Sequence, residues 1–92
     1  MPRDSNNQIA RDPRAVETTV GSEIVLMMIQ TGECIGLGEI GSEVWRQIAV
    51  PLSASVLVER LRDLYEAAEG VIEQDLEKLL DTLHAHHVIS VE

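Results

Sequence analysis

Aromatic residues are nearly absent from this sequence: its 92 residues include one Trp, one Tyr and no Phe. A folded core must therefore be aliphatic, and the hydrophobic content of 45% is sufficient to build one. The single cysteine, Cys34, excludes an intramolecular disulfide framework and a zinc site made of cysteines. Such cysteine usage fits a reducing compartment, so we expect a cytoplasmic protein.

Long hydrophobic runs are also missing. No stretch approaches the roughly 20 apolar residues of a membrane-spanning helix. Residues 1–7 lack the apolar segment of a secretory signal peptide. The sequence therefore predicts no membrane partner.

Basic residues are scarce: seven Lys and Arg stand against 16 Asp and Glu, for a net charge of −9. Residues 1–14 hold three arginines and two aspartates, a net of +1, which leaves −10 for residues 15–92. This surface repels phosphate backbones, which proteins bind through Lys and Arg. Nucleic-acid binding is therefore disfavoured.

A chain of this length is one small domain without a deep substrate cavity. Residues 1–14 are polar, contain two prolines and show no periodicity, which is typical of a flexible N-terminal arm. We therefore assign residues 1–14 to an arm and residues 15–92 to the folded domain.

Three β-branched or apolar runs follow the arm. Ala15–Val20 predicts a first strand, and Glu23–Ile29, continuously apolar after its glutamate, predicts a central strand buried on both faces. A turn containing Thr31-Gly32 joins it to a third strand, Glu33–Leu37. The three runs predict an antiparallel meander in which the first and third strands are edges.

The periodicity then becomes helical. Apolar spacing predicts a helix over Glu39–Ala49, a second helix over Ala54–Ala67 with Ser53 as its N-cap, and a third over Glu69–His87. Val88–Val91 predicts a short terminal strand. The fold class is therefore α+β, a three-stranded antiparallel sheet followed by three helices and a short terminal strand. It is winged helix-turn-helix-like, because a two-helix pair with β elements also describes that fold.

Glycines distinguish the third strand, because Gly36 lies within it and Gly38 follows it. A small residue in a strand lets another backbone approach closely, and an unpaired edge accepts a strand from another chain. The alternative is that Gly36 relieves crowding beside the first helix. For Cys34 we expect a buried or half-buried side chain, and for Trp45 a place in the core.

Several short motifs follow one another in a characteristic order. They are the turn Thr31-Gly32, Leu37 at the end of the third strand, Gly41-Ser42-Glu43-Val44-Trp45 in the first helix, Leu57 to Tyr65, Asp75-Leu76 with Leu79-Leu80 and Leu83, and His87-Val88-Ile89. This series resembles the PqqD-like peptide chaperones, also called RiPP recognition elements after the ribosomally made, post-translationally modified peptides that they serve. The resemblance covers residues 15–91.

The resemblance implies a non-catalytic module, without a cofactor or a metal, that binds the leader segment of a precursor peptide. The leader adds as a strand beside the third strand and lies in a groove next to the third helix. The peptide-binding residues implied are Glu33, Cys34, Ile35, Gly36 and Leu37 on the strand, and Asp75, Lys78, Leu79 and Thr82 on the helix. The implied partner is a peptide-processing enzyme, with a lasso-peptide leader peptidase favoured over a radical enzyme of cofactor maturation.

Other classes of function fit the sequence less well. A winged-helix DNA-binding regulator needs a basic recognition helix, but the third helix carries five acidic residues against Lys78 alone. An enzyme is disfavoured because the sequence has no acid–base pair, phosphate loop or nucleophile constellation. His84 and His87 share a helix face and permit metal ligation, although histidines also suit the C-terminus of a helix. Self-association through an unpaired strand edge, as a homodimer, is left open.

Overall fold

The computed structural model describes residues 7–66 and 70–91. Six strands and three helices follow one another along this part of the chain. They are β1 (Gln8–Arg11), β2 (Ala15–Val20), β3 (Glu23–Met28), β4 (Glu33–Gly36), α1 (Glu39–Gln47), β5 (Leu52–Ser53), α2 (Ala54–Leu64), α3 (Val71–Ala85) and β6 (Ile89–Val91). The predicted α+β class is confirmed, and the winged-helix description fits only loosely.

The predicted meander is present as a three-stranded antiparallel sheet in the order β2-β3-β4. Strand β3 is central, but its side chains alternate: Ile24, Leu26 and Met28 are buried, whereas Met27 is 41% exposed. The expectation that this strand is buried on both faces was therefore wrong. Its continuous apolar run conceals an ordinary alternation, because one face of the sheet covers the core and the other is open.

A second sheet, in the order β5-β1-β6, was not predicted. In it Ile9 of β1 pairs with Leu52 of β5 and with Val91 of β6, and the Ile9 side chain is fully buried. The predicted arm is therefore wrong for Gln8–Arg11, which belong to the folded domain, while residues 1–6 lie outside the described residues. The physical reason is long-range pairing, which leaves no local periodicity in the sequence.

Arg11 ties this second sheet to the rest of the domain. Its Nε and Nη2 donate hydrogen bonds to the backbone carbonyl of Trp45 at 3.0 and 2.6 Å, and its guanidinium lies 4.6 Å from the centroid of the Trp45 ring. Glu17 of β2 accepts from both residues, at 3.2 Å from Arg11 Nη1 and 3.3 Å from Trp45 Nε1. Trp45 is buried, as predicted, and Arg11 and Glu17 fix it between the two sheets.

Side chains of the three helices share one core with the buried face of the first sheet. Leucines of α2 and α3, Val44 and Trp45 of α1, and the inward side chains of β3 form one core cluster. The hydroxyl of Ser53 accepts a hydrogen bond from the backbone N–H of Val56, so the predicted N-cap of α2 is confirmed. Helix α2 ends at Leu64, before the predicted end at Ala67, which lies outside the described residues, as does Glu69.

Helix α3 ends in a Schellman motif. The N–H of His87 donates to the carbonyl of His84, and the N–H of Val88 donates to the carbonyl of Leu83. His87 occupies the left-handed position of this motif with φ of 62°, where glycine is the usual residue. Among the described residues, no helix is long and apolar enough to cross a membrane.

Candidate functional site

Strand β4 has one paired edge and one open edge within the described part of the chain. It pairs antiparallel with β3 in a register that places Gly36 opposite Val25 and Cys34 opposite Met27. The N–H of Leu37 donates to the carbonyl of Ile24 at 2.8 Å. Because hydrogen-bonded and non-hydrogen-bonded pairs alternate along an antiparallel ladder, Cys34 and Gly36 turn their backbone N–H and C=O groups away from β3.

Ser42 completes the ladder where β4 ends. Its buried hydroxyl accepts a hydrogen bond from the N–H of Ile24 at 2.9 Å and donates one to the carbonyl of Leu37 at 3.2 Å. The hydroxyl therefore bridges two backbone groups that would otherwise be unpaired inside the core. This contact fixes α1 against the beginning of β3 and the end of β4. In the sequence, its only sign is a serine within the helical pattern.

The side chains of β4 divide between two faces. Ile35 and Glu33 pair with the buried Leu26 and Met28, so they lie on the inner face of the sheet, and Ile35 is half-buried. Cys34 lies on the outer face and is exposed, so the expected burial of this thiol was wrong. The alternation of a four-residue strand was too short to reveal its orientation.

Leu37 follows the last residue of β4 and is buried in the core. Its side chain packs close to Gly41 of α1: a Cβ placed on Gly41 would lie 3.3 Å from Leu37 Cβ and 3.5 Å from Leu79 Cδ1. A Cβ placed on Gly36, in contrast, meets no atom within 4 Å. Close packing by Leu37 and Leu79 therefore explains the glycine at 41, whereas crowding beside α1 does not explain the glycine at 36.

Helix α3 supplies the other residues implied by the sequence. Asp75, Lys78 and Thr82 are exposed, and Leu79 is half-buried. The Leu79 side chain lies close to Gly41 of α1. Gly41 in turn lies close to Leu37, the residue that follows β4. These four residues therefore lie along α3 between its buried leucines and solvent.

A direct contact joins α3 to the beginning of β4. His86 Nδ1 lies 2.6 Å from Glu33 Oε1, although 53 positions separate the two residues. A cavity of about 260 Å³ adjoins this contact and is lined by Arg14, Met28, Gln30, Thr31, Glu33, His86 and His87. The C-terminal end of α3 and the beginning of β4 are therefore neighbours.

A second cavity lies beside Asp75, near the beginning of α3. It has a volume of about 180 Å³ and is lined by Ile40, Leu61, Tyr65, Glu66, Val71, Ile72 and Asp75. Burial, helped by the nearby Glu39 and Glu43 carboxylates, raises the pKa of the Tyr65 phenol. The cavity is thus lined mostly by apolar side chains, together with the carboxylates of Glu66 and Asp75.

The arrangement can offer hydrogen bonds to an extended backbone. Within the described part of the chain, Cys34 and Gly36 turn backbone groups away from β3 along one edge, and Gly36 has no side chain to cover that edge. Within residues 7–66 and 70–91, no group of three or more His, Cys, Asp or Glu side chains could hold a metal ion. The outward-facing backbone groups of β4 are therefore suited to pairing with an extended peptide.

Comparison with known proteins supports the α+β fold described above. The solved structure described as "TbiB1 in Complex with the TbiA(beta) Leader Peptide" superposes with a TM-score of 0.80 at 23% sequence identity, covering 88% of this chain and 94% of that one. No curated protein matches. Residues 23–89 match the family model of coenzyme PQQ synthesis protein D (PqqD). This match covers most of the chain, including β3, β4 and all three helices, and the chain therefore belongs to the PqqD family.

Proposed function

We propose that this chain binds the leader segment of a ribosomally made precursor peptide and catalyses no reaction on it. The observation that carries the proposal is the open edge of β4, where Cys34 and Gly36 turn their backbone groups away from β3. A leader added there as a fourth strand satisfies these groups. The TbiB1 structure, a relative in fold, holds a leader peptide.

Main-chain and side-chain contacts play different parts in this mode of binding. Backbone hydrogen bonds to an edge strand give affinity to any extended peptide, and pockets for alternate side chains give sequence preference. The inner-face residue Ile35 and the half-buried Leu79 of α3 provide apolar surface for the leader side chains that point inward. Lys78, Thr82 and Asp75 then line the solvent side of the groove.

We propose further that the bound leader is delivered to a processing enzyme, with a lasso-peptide leader peptidase favoured. A small domain that presents a recognition edge for the leader would act together with a second protein that processes the peptide. An enzyme of radical chemistry is the alternative partner. Co-purification of the chain with the enzymes encoded beside it, in the presence and absence of the leader, distinguishes the two.

The edge-strand proposal is tested with a matched pair of variants at Gly36. Gly36→Pro removes the outward N–H, and proline is tolerated at a strand edge whose N–H faces solvent. Gly36→Ala keeps the N–H and adds a Cβ where no atom lies within 4 Å. We expect Gly36→Pro to abolish binding of the leader while the circular dichroism spectrum is kept, and Gly36→Ala to bind.

The peptides for this test come from precursor genes beside the gene for this chain, and binding is measured by isothermal titration. Equal binding by folded Gly36→Pro and wild-type protein would rule out strand addition at β4. Loss of binding in both variants would point instead to a role of the outer face of the sheet.

A further inference from the structure

We infer that the leader residue paired with Glu33 is a lysine or an arginine, two positions from the apolar residue that pairs with Ile35. This inference rests on the proposed strand addition to β4. The charge of this leader side chain would decide which peptides bind best, because the backbone hydrogen bonds are the same for every sequence.

The register of the sheet gives the spacing. Glu33 and Ile35 both lie on the inner face, because they pair with the buried Met28 and Leu26. In an added strand the residues opposite these two are also two positions apart and point to the same face. Their Cβ atoms lie about 4.5–5.5 Å from those of their partners, which is close enough for a direct interaction of side chains.

The position of the Glu33 carboxylate is held from α3. His86 Nδ1 contacts Glu33 Oε1 at 2.6 Å, which holds the carboxylate at one end of the groove between β4 and α3. A carboxylate has about four lone-pair sites for hydrogen bonds, so one contact from His86 leaves capacity for a cation. The carboxylate thus has acceptor sites left beside the place where a leader side chain would lie, and its contact with His86 is an ion pair only when the imidazole is protonated.

The one arginine that lines the adjoining cavity has another partner. Arg14 lines the same cavity, but its guanidinium is already engaged by both carboxylate oxygens of Asp12, at 2.8 and 2.9 Å. The chain as a whole carries −9. An acidic leader side chain opposite Glu33 would meet a like charge across the strands, which destabilises a pair. The apolar stem of a lysine or arginine can pack beside Ile35 while its charge reaches Glu33.

The test is a selection from random peptides, which works without a known leader sequence. Displayed peptides, long enough to span β4, are selected on wild-type protein, on Glu33→Lys and, as the control for edge binding, on Gly36→Pro. We expect the wild-type pool to be enriched in peptides with Lys or Arg two positions from an apolar residue. The Glu33→Lys pool should replace that cation with Asp or Glu, and Gly36→Pro should select no common pattern.

A second measurement gives the size of the effect. Changing the selected cation to glutamine should raise the Kd for wild-type protein about two- to fivefold, as expected for one cross-strand ion pair. The same change should leave the Kd of Glu33→Gln unaltered.

The possible outcomes distinguish a wrong charge preference from a failure of peptide binding itself. Edge-dependent peptides with no preferred charge at this position, in both the wild-type and the Glu33→Lys pools, would overturn the inference and leave leader binding intact. A wild-type protein that selects no peptides at all would overturn both.

Discussion

The carboxylate of Glu33, at the start of β4, lies 2.6 Å from the imidazole of His86, just beyond the end of α3. The contact places the edge of the first sheet beside the third helix. At the opposite end of the strand, Gly41 of α1 lies close to both Leu37 and Leu79. Contacts therefore lie at both ends of the groove between β4 and α3. In the proposed binding mode they would pre-organise the groove for an extended peptide and lower the entropic cost of binding.

The left-handed backbone of His87 predicts a stabilising substitution. A non-glycine residue at φ of 62° carries a cost of roughly 1–2 kcal/mol, part of which is offset because glycine gains more freedom in the unfolded chain. We expect His87→Gly to raise the free energy of unfolding by about 1 kcal/mol and Tm by about 4–8 °C. Denaturant titration and thermal melts measure both quantities.

His84→Gly is the matched control for that variant. His84 lies inside α3, where glycine costs about 1 kcal/mol relative to alanine. Equal losses of stability in the two glycine variants would contradict the Schellman geometry.

The Ser42 hydroxyl predicts a destabilising substitution in the core. Ser42→Ala leaves the N–H of Ile24 and the carbonyl of Leu37 without their bridging partner. We expect the free energy of unfolding to fall by about 1–3 kcal/mol, the cost of unsatisfied buried groups. Ser90→Ala, at an exposed serine of β6, should change it by less than about 0.5 kcal/mol. A Ser42→Ala protein as stable as the Ser90→Ala protein would mean that the bridge is absent.

The ion pair between Asp12 and Arg14 predicts a dependence of stability on pH. Hydrogen bonds from the Arg14 side chain and then from its backbone N–H lower the pKa of Asp12 from 3.8 to about 2. A lowered pKa in the folded state means that the stabilisation is complete above pH 3.8 and is lost as the pH falls towards 2.

We therefore expect wild-type protein to be more stable than Arg14→Gln at neutral pH, and the difference to disappear on acidification through that window. Denaturant titrations across the pH series measure the difference, and NMR of the Asp12 carboxyl measures its pKa directly. A pKa near 3.8 in wild-type protein would refute the pairing.

Local patterns in the sequence were enough to predict most of the fold. The strands β2, β3 and β4 and all three helices follow from apolar periodicity, the Thr31-Gly32 turn and the Ser53 cap. Strand β1 was missed because it contains one buried side chain, Ile9, and pairs with β6 at the other end of the chain. A short strand whose partners are remote leaves no periodic signal to detect.

The candidate site was predictable as a strand and a helix, and less so as a set of side chains. The alternation of β4 becomes visible only through its register with β3, which turns Cys34 outward and Ile35 inward. The burial of Leu37 and the approach of His86 to Glu33 depend on tertiary packing. Sequence periodicity describes each element separately, so it could not predict contacts between elements.

The most direct test of strand addition is hydrogen exchange at the open edge of β4. A peptide from the selection on wild-type protein is added to isotope-labelled protein, and the exchange of each backbone amide is followed by NMR. We predict that the amides of Cys34 and Gly36, which turn away from β3, exchange rapidly in the free protein and become protected when the peptide binds. Protection elsewhere, with these two amides still exchanging at their free rates, would contradict strand addition at β4.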